Sequence, residues 1–222
     1  MNWIAEHLRI APGASVLELG CGTGTLWRGR DALVSACSRL VLTDLSEGML
    51  QKTRETLKAF SSIEYKAVDI RQIPFADRSF DVVIANMMLY HVPDLHQGLK
   101  EVRRVLKDGG TFCCATYGEN GILENLCRLL GRPDLADQAN HSFTLQNGAG
   151  HLLRHFGSVE RFDYPDSLAV TDVNDLADYL YSLSGMADLR GLPREQVVSA
   201  LEANMSGGVL RVPKEYGMFA AK

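Results

Sequence analysis

The segment best suited to binding a ligand is a cluster of glycines that follows a short apolar run. The run Val16–Leu19 is followed by Gly20, Gly22 and Gly24 at alternate positions. This pattern predicts a buried strand that ends in a tight turn, where a ligand contacts bare backbone before a helix begins. A dinucleotide-binding turn would carry Gly or Ala at the next position, where this chain has Thr25. The turn therefore favours a ligand that is flatter and less anionic than a pyrophosphate.

A carboxylate stands at the end of the second predicted strand. Asp44 lies twenty residues after Gly24. A carboxylate in this position can accept hydrogen bonds from both hydroxyls of a ribose, as in dinucleotide-binding folds. The alternative role for Asp44 is to cap the following helix, although the adjacent Ser46 can already supply that cap.

Two side chains are candidates for acid–base chemistry. His91 lies between the fourth predicted strand and the next helix, and its ordinary titration range suits proton removal from a hydroxyl or an acidic carbon. The alternative for His91 is a structural histidine bonded to the following loop, with Asp94 as its neighbour. Tyr117, just past the fifth strand, is the second candidate, with a structural role equally open.

The other histidines do not show the spacing of a metal site. His151 and His155 are four residues apart on one predicted helix face, but the chain lacks the glutamate that a zinc protease motif places beside the first histidine. The cysteines likewise form neither a C-x-x-C pair nor a cysteine–histidine metal pattern. We therefore predict no metal ligand.

Strand and helix signals alternate along the chain, as they do in proteins with a parallel sheet. The expected strands cover 15–19, 39–43, 63–67, 81–85, 111–115, 158–162 and 216–220. The expected helices cover 1–9, 24–34, 47–60, 93–106 and 144–156. This order predicts an α/β fold whose glycine turn lies at the carboxyl edge of the sheet.

Four segments in this order resemble the motifs of class I S-adenosylmethionine-dependent methyltransferases of the methyltransferase-11 type, which includes quinone-biosynthesis enzymes. The resemblance is carried by Glu18–Gly24, Leu42–Leu50, Val68–Val83 and Arg104–Thr111, and it covers residues 10–117. In the last segment Asp108 replaces the proline usual in the family. The resemblance implies a Rossmann-like sheet of seven strands, mostly parallel, with helices on both faces, an antiparallel last strand and helical lid insertions.

The same resemblance implies the cofactor S-adenosylmethionine and methyl transfer to a small-molecule acceptor whose reacting atom stays open. Two other hypotheses for the function remain. One is a module that binds S-adenosylmethionine without catalysis, and the other is a nicotinamide-dependent oxidoreductase, against which Thr25 counts. By resemblance, the cofactor-binding residues are Glu18, Gly20, Cys21, Gly22, Gly24, Asp44, Leu45, Asp69, Ile70, Asn86 and Met87.

Individual roles follow from the resemblance as well. The glycines would let the backbone approach the methionine part and the ribose, and Leu45 would lie against the adenine face. Asp69 would accept from the adenine amino group beside the Ile70 N–H, or else be a solvated loop residue. Asn86 and Met87 would border the methionine half. Glu18 would either receive the ammonium group indirectly or brace the glycine turn.

Composition narrows the classes of partner. The 222 residues are expected to form a single domain, 1–222, and the net charge of −4 comes without a basic run, so neither nucleic acid nor a membrane surface is predicted as a partner. The absence of a signal peptide and of a long apolar stretch, with five cysteines expected to be reduced thiols, predicts a cytoplasmic location. The sequence indicates no oligomeric state.

Two stretches are long for connections in a compact domain. Residues 118–142 and 167–208 are predicted to form lid insertions that build the acceptor pocket, since insertions at the carboxyl edge of a sheet lie over the ligand crevice. The alternative is that their apolar faces pack on the flank of the sheet.

Overall fold

The computed structural model describes residues 1–133, 140–182 and 191–222. These residues group into two compact units. The first unit comprises 1–116, 142–162 and 217–222, and the second comprises 117–141 and 163–216. The described residues of the predicted insertions, 118–142 and 167–208, fall almost entirely within the second unit, and the parts at 134–139 and 183–190 lie outside the described residues. The single-domain organisation and the lid role of the insertions stay predictions.

The helices and strands alternate through most of the chain. The strands are β1 (Ser15–Leu19), β2 (Arg39–Asp44), β3 (Ile63–Ala67), β4 (Phe80–Asn86), β5 (Leu106–Tyr117), β6 (Val159–Val170) and β7 (Leu210–Ala221). The helices are α1 (Asn2–His7), α2 (Asp31–Ala36), α3 (Glu47–Thr56), α4 (Leu95–Val105), α5 (Ile122–Leu129), α6 (Gly148–Leu152), α7 (Val173–Ser182) and α8 (Arg194–Glu202), with a 3-10 turn at Leu89–His91.

One sheet of seven strands has the order β3-β2-β1-β4-β5-β7-β6. The strands β1 to β5 pair in parallel, and the last strands run antiparallel. Leu17 in β1 lies between Val41 of β2 and Val83 of β4. Because the chain leaves β1 towards β2 on one side and β4 lies on the other, the strand order reverses at β1, which is where ligands bind in open α/β sheets. The predicted fold class is confirmed.

Each unit has its own apolar core. In the first unit the central strands are buried on both faces, as parallel strands between helices are, and Val16, Leu17, Val83 and Phe112 are inaccessible to solvent. In the second unit, helices α5, α7 and α8 contribute a separate cluster with β7. Burial of these side chains supplies the main stabilising free energy of each unit. Within the described residues, no helix is both long and apolar enough to cross a membrane.

The helix predicted over 24–34 is wrong over most of its length. Gly24 and Gly29 have φ values of +74° and +72°, outside the right-handed helical region, and only Asp31–Ala36 forms a helix. The intervening turns instead bury Trp27 completely. Tertiary packing of one large aromatic residue thus overrides the local helical tendency.

The helix predicted over 144–156 is shorter than expected. It covers only Gly148–Leu152, because Thr144 and Asn147 bond reciprocally in a turn, with the Asn147 side chain accepting the Thr144 N–H at 2.8 Å. A Cβ at Gly148 would approach the Phe219 ring at 2.6 Å, so close packing accounts for the glycine. The strands β6 and β7 are longer than the predicted 158–162 and 216–220, and β6 includes the first residues of the predicted insertion 167–208.

Candidate ligand-binding site

A cavity of about 560 Å³ opens where four parallel strands of the first unit end. Its walls include Leu19 at the end of β1, Asp44 at the end of β2, and the residues that directly follow β3 and β4. This volume lies within the range of small-molecule sites. Of the predicted site residues, the cavity brings together Gly20, Gly22, Asp44, Leu45, Asp69, Ile70, Met87 and His91.

The glycine turn presents backbone to this cavity. Gly20, Gly22 and Gly24 all have positive φ values, at +68°, +58° and +74°. A Cβ on Gly20 would approach Met88 at 2.9 Å, and one on Gly24 would approach Thr53 at 2.8 Å, so these two glycines satisfy packing within the protein. A Cβ on Gly22 would meet no atom within 4 Å. The space beside Gly22 therefore belongs to the cavity.

Asp44 holds the glycine turn against the end of β2. Its Oδ2 accepts the Gly22 N–H at 2.9 Å, and its Oδ1 accepts the Ser46 N–H at 2.9 Å. Ser46 caps α3 by accepting the Met49 N–H, as predicted, so Asp44 is not the helix cap. Each carboxylate oxygen keeps a second lone pair for a ligand on the cavity side.

An apolar surface adjoins the Asp44 carboxylate. Leu45 is 74% exposed and Met49 is 38% exposed, and both line the cavity. The exposed Leu45 side chain can pack against a flat ring, while the adjacent Asp44 carboxylate binds the sugar attached to that ring.

Asp69 also lines the cavity, but its carboxylate already has a partner. The Arg71 guanidinium donates to both oxygens, with its Nη2 2.6 Å from Oδ2, and the Arg71 N–H donates to Oδ1. This pairing holds the pKa of Asp69 below its usual value. Asp69 is therefore an ionised acceptor that a ligand would share with Arg71. The adjacent Ile70 is buried, and its side chain packs against Gly98 of α4.

The end of β4 carries one strained residue and one unsatisfied residue. Met87 lines the cavity with φ at +55°, an unusual backbone conformation for a side chain of this size. Asn86 is 8% exposed and does not line the cavity, and neither its side-chain oxygen nor its nitrogen has a partner among the described residues. A buried amide without partners costs free energy, so Asn86 requires a polar group that a ligand or an ordered water supplies.

His91 ends the 3-10 turn Leu89–His91, where it lines the cavity with an exposed side chain. Its ring centroid is 4.4 Å from that of Tyr90. Asp94, the neighbour in the alternative interpretation, caps α4 by accepting the Gln97 N–H at 3.0 Å. His91 is thus placed where its imidazole can reach a ligand.

Tyr117 belongs to the second unit, unlike the other predicted site residues. Its hydroxyl donates to the Asn140 carbonyl, and burial raises its pKa. It lines a cavity of about 330 Å³ formed by residues of that unit, with Tyr179 and Tyr216 among them. Its predicted role as an acid–base residue stays a prediction.

Glu18, Cys21 and Gly24 do not line the cavity. Glu18 is 2% exposed, and its Oε2 accepts the Trp27 indole N–H at 2.6 Å. Desolvation, with a smaller contribution from Asp44, raises the pKa of Glu18 to about 7. This geometry matches the alternative in which Glu18 braces the glycine turn. Burial likewise raises the pKa of Cys21 to about 12, so its thiol stays uncharged.

The pKa of Glu18 predicts an unusual dependence of stability on pH. A carboxyl whose pKa is raised on folding stabilises the protein fully below its unfolded value of about 4.5, and this contribution is lost as pH rises through about 7. The free energy of unfolding should therefore fall by about 3 kcal/mol between pH 5 and pH 8. In Glu18→Gln, which keeps an acceptor for Trp27, this fall should disappear. Urea unfolding at a series of pH values measures the free energy of unfolding of both proteins. If this free energy depends on pH in the same way in the wild type and in Glu18→Gln, the raised pKa of Glu18 is contradicted.

Sequence reasoning missed several residues of the cavity wall. Arg71 is the most consequential, and its position two residues after Asp69 was the available signal. The remaining missed residues are Leu19, Ser46, Met49, Val68, Met88, Val92 and Pro93.

The arrangement fits the cofactor that the motif resemblance implies. Open space beside Gly22 admits a ligand at the backbone, Asp44 offers acceptors for a diol, and Leu45 offers an apolar face. The Asn86 amide does not line the cavity, but it has no partner among the described residues and can both donate and accept.

Comparisons with known proteins show what this chain is similar to in sequence. A family model described as a methyltransferase domain matches residues 17–114. The ubiquinone/menaquinone biosynthesis C-methyltransferase UbiE of Klebsiella pneumoniae is 36% identical over 153 residues, which are 68% of this chain and 57% of that protein. The malonyl-[acyl-carrier protein] O-methyltransferase of Erwinia pyrifoliae is 38% identical over 124 residues, which are 54% of this chain and 44% of that protein. The chain spans about half the length of these curated relatives.

Solved structures share the fold. The YcgJ protein of Bacillus subtilis superposes with a TM-score of 0.66 at 16% identity, covering 99% of this chain and 95% of that chain. The methyltransferase CalH, in complex with SAH, superposes with a TM-score of 0.55 at 25% identity, covering 71% of this chain and 48% of that chain.

Proposed function

Since the chain carries a class I S-adenosylmethionine-dependent methyltransferase domain, similar to that of the quinone-biosynthesis enzymes, we propose that it transfers the methyl group of S-adenosylmethionine to a small organic molecule. The observation that carries this proposal is the open space at Gly22 beside the Asp44 carboxylate. A dinucleotide-binding turn needs room for a pyrophosphate at the helix N-terminus, whereas here Thr25 and turns occupy that place.

The nucleoside half of the cofactor would lie between the ends of β1, β2 and β3. Asp44 would accept hydrogen bonds from the ribose hydroxyls through its free lone pairs, while it keeps the Gly22 and Ser46 N–H groups. Leu45 would cover one face of the adenine, and the Asp69 carboxylate, shared with Arg71, would accept from the adenine amino group.

The methionine half would lie at the glycine turn and the end of β4. Gly20 and Gly22 let the backbone approach the ligand, and the Asn86 amide has both a donor and an acceptor to offer. Glu18 would act indirectly, by holding Trp27 and thereby the turn.

Methyl transfer requires the protein mainly to position the acceptor and the cofactor. S-adenosylmethionine supplies an electrophilic methyl carbon on a sulfonium sulfur. The protein aligns the acceptor with that carbon and excludes water, and alignment accounts for much of the rate enhancement in such transfers. Where the acceptor must lose a proton, His91 would take it, since it is the imidazole that lines the cavity. Tyr117 remains a second proposed proton acceptor, from the second unit.

The acceptor is proposed to be a small molecule in the cytoplasm. The net charge of −4 and the absence of a basic run do not favour nucleic acid. The relatives named above include a C-methyltransferase and an O-methyltransferase, so similarity leaves the acceptor atom open. The second unit, with its tyrosine-lined cavity, is the proposed source of acceptor specificity.

Ligand binding tests the proposal directly. In calorimetry, the purified protein should bind S-adenosylhomocysteine and S-adenosylmethionine at one site, and NADH should give no heat. Incubation with labelled S-adenosylmethionine and a metabolite extract should then yield a product heavier by one methyl group. Binding of NADH alone would support an oxidoreductase, and tight binding without transfer to any acceptor would support a non-catalytic module.

A further inference from the structure

Two histidines far apart in the sequence are in contact through their ring nitrogens in the first unit. His96, in the first turn of α4, and His155, which follows α6, are 59 residues apart along the chain. The Nε2 atom of His155 lies 3.0 Å from the Nδ1 atom of His96, and the ring centroids are 4.6 Å apart. Neither residue lines the cavity at the strand ends, so the proposed function gives this pair no role.

The separation of the two nitrogens matches that of two ligands on one transition-metal ion. Imidazole nitrogens bind such ions at about 2.0–2.1 Å. Two bonds of this length at a right angle place the nitrogens about 2.9 Å apart, and a tetrahedral angle places them about 3.3 Å apart. The observed 3.0 Å lies between these values and nearer to the right angle, which is the arrangement of square-planar Cu²⁺ and Ni²⁺.

We propose that His96 and His155 form a two-imidazole binding site for a divalent transition-metal ion. In the metal-free protein, the N–H of one facing nitrogen donates a hydrogen bond to the lone pair of the other. When the ion binds, the donating ring carries this proton on its other nitrogen instead, so that both facing nitrogens present lone pairs. The pair therefore exchanges a hydrogen bond for two metal bonds without a net change in bound protons.

The surroundings leave room for water to complete the coordination. His96 is exposed and His155 is half-buried, so solvent reaches the space between the rings. Among the described residues, no three histidine, cysteine, aspartate or glutamate side chains converge on one point, so the site has two protein ligands. The neighbouring cation is Arg154, which is exposed, and water screens its repulsion of a bound ion.

His151 provides a matched control for this pair. It lies in α6, four residues before His155, and its ring centroid is 6.3 Å from that of Phe143. Substitution by glutamine removes the imidazole at each position and keeps a side chain that can form hydrogen bonds.

Calorimetric titration of the untagged, metal-free protein with Cu²⁺, supplied as its glycine complex, tests the site. We expect one ion per chain, with affinities in the order Cu²⁺ above Ni²⁺ and Zn²⁺. His96→Gln and His155→Gln should each weaken Cu²⁺ binding at least tenfold, and His151→Gln should leave it unchanged. The electron paramagnetic resonance spectrum of the Cu²⁺ complex should show two nitrogen ligands in the wild type and one in His96→Gln.

The result that would overturn the site is equal Cu²⁺ affinity in the wild type and in His96→Gln. Loss of binding in His151→Gln would also overturn it, because His151 would then be a ligand of the ion. Thermal unfolding without metal checks that each variant is folded, and His96→Ala serves as a second variant if His96→Gln is not. S-adenosylhomocysteine affinity should be equal in all these proteins, so failure of the metal site and failure of the proposed function are distinguishable.

Discussion

Gly22→Val is expected to abolish binding of S-adenosylmethionine while leaving a folded protein. The space beside Gly22 contains no protein atom within 4 Å of an added Cβ, so the valine side chain would occupy the volume proposed for the ligand. A ligand that must move by the size of two methyl groups loses its contacts with the turn and with Asp44 together. We expect at least a hundredfold loss of affinity, roughly 3 kcal/mol. Calorimetry with S-adenosylhomocysteine measures it.

The control for this variant must separate steric exclusion from backbone strain. Valine at the Gly22 φ of +58° is strained and should lower stability by about 1–2 kcal/mol. Gly13 has a φ of +81° and no atom within 4 Å of its added Cβ, but it precedes β1 and lies outside the cavity. Gly13→Val should therefore lose comparable stability and keep full affinity. If Gly22→Val binds S-adenosylhomocysteine as tightly as the wild type, the glycine turn is not the ligand site.

The sheet was predictable because local sequence patterns indicate its strands. The strands β1 and β3 have the predicted bounds, β2 is one residue longer at its end, and β4 is one residue longer at both ends. Their apolar runs are bounded by glycine, proline or polar residues, and burial on both faces leaves few alternatives for such runs. Ser46 as the cap of α3 was predictable for the same reason, since a cap depends on neighbours three residues away.

The parts that the sequence did not predict depend on distant contacts. The helix expected over 24–34 gives way to turns that bury Trp27 against Glu18. The Arg71 guanidinium fork on Asp69 depends on the fold of one loop, which charge spacing alone does not specify. The contact of His96 with His155 spans 59 residues, so no motif could reveal it.

Within the site, residue types were easier to predict than contacts. The resemblance placed Asp44 and Asp69 at the strand ends, where the structure has them. It did not indicate that Asp44 already accepts two backbone N–H groups, or that Asn86 has no partner within the described protein. Both details arise from how the turn after β1 packs on the ends of β2 and β4, and both change the expected effect of substitution.

Asp44→Asn is expected to weaken S-adenosylmethionine binding about thirtyfold. If both carboxylate oxygens accept ribose hydroxyls, these charge-assisted bonds contribute about 1.5–3 kcal/mol each. Asparagine keeps the shape and one acceptor but loses the charge, so the net loss should be about 2 kcal/mol. Asp44→Ala should lose more. Calorimetry with S-adenosylhomocysteine gives the affinities.

The structure also predicts that Asp44→Asn lowers stability, and a control must separate this effect from the loss of affinity. The Asp44 oxygens accept the Gly22 and Ser46 N–H groups. In Asp44→Asn the side-chain NH2 group would face one of these N–H groups, so one hydrogen bond is lost. The melting temperature should therefore fall by a few degrees. Asp81 makes a comparable bond at the other end of β1, where its Oδ2 accepts the Ser15 N–H at 2.8 Å. Asp81→Asn should therefore lower the melting temperature and leave affinity unchanged. A sharp fall in melting temperature for Asp44→Asn, with affinity within about threefold of the wild type, would make Asp44 a structural residue and remove the main support for ribose recognition at this strand end.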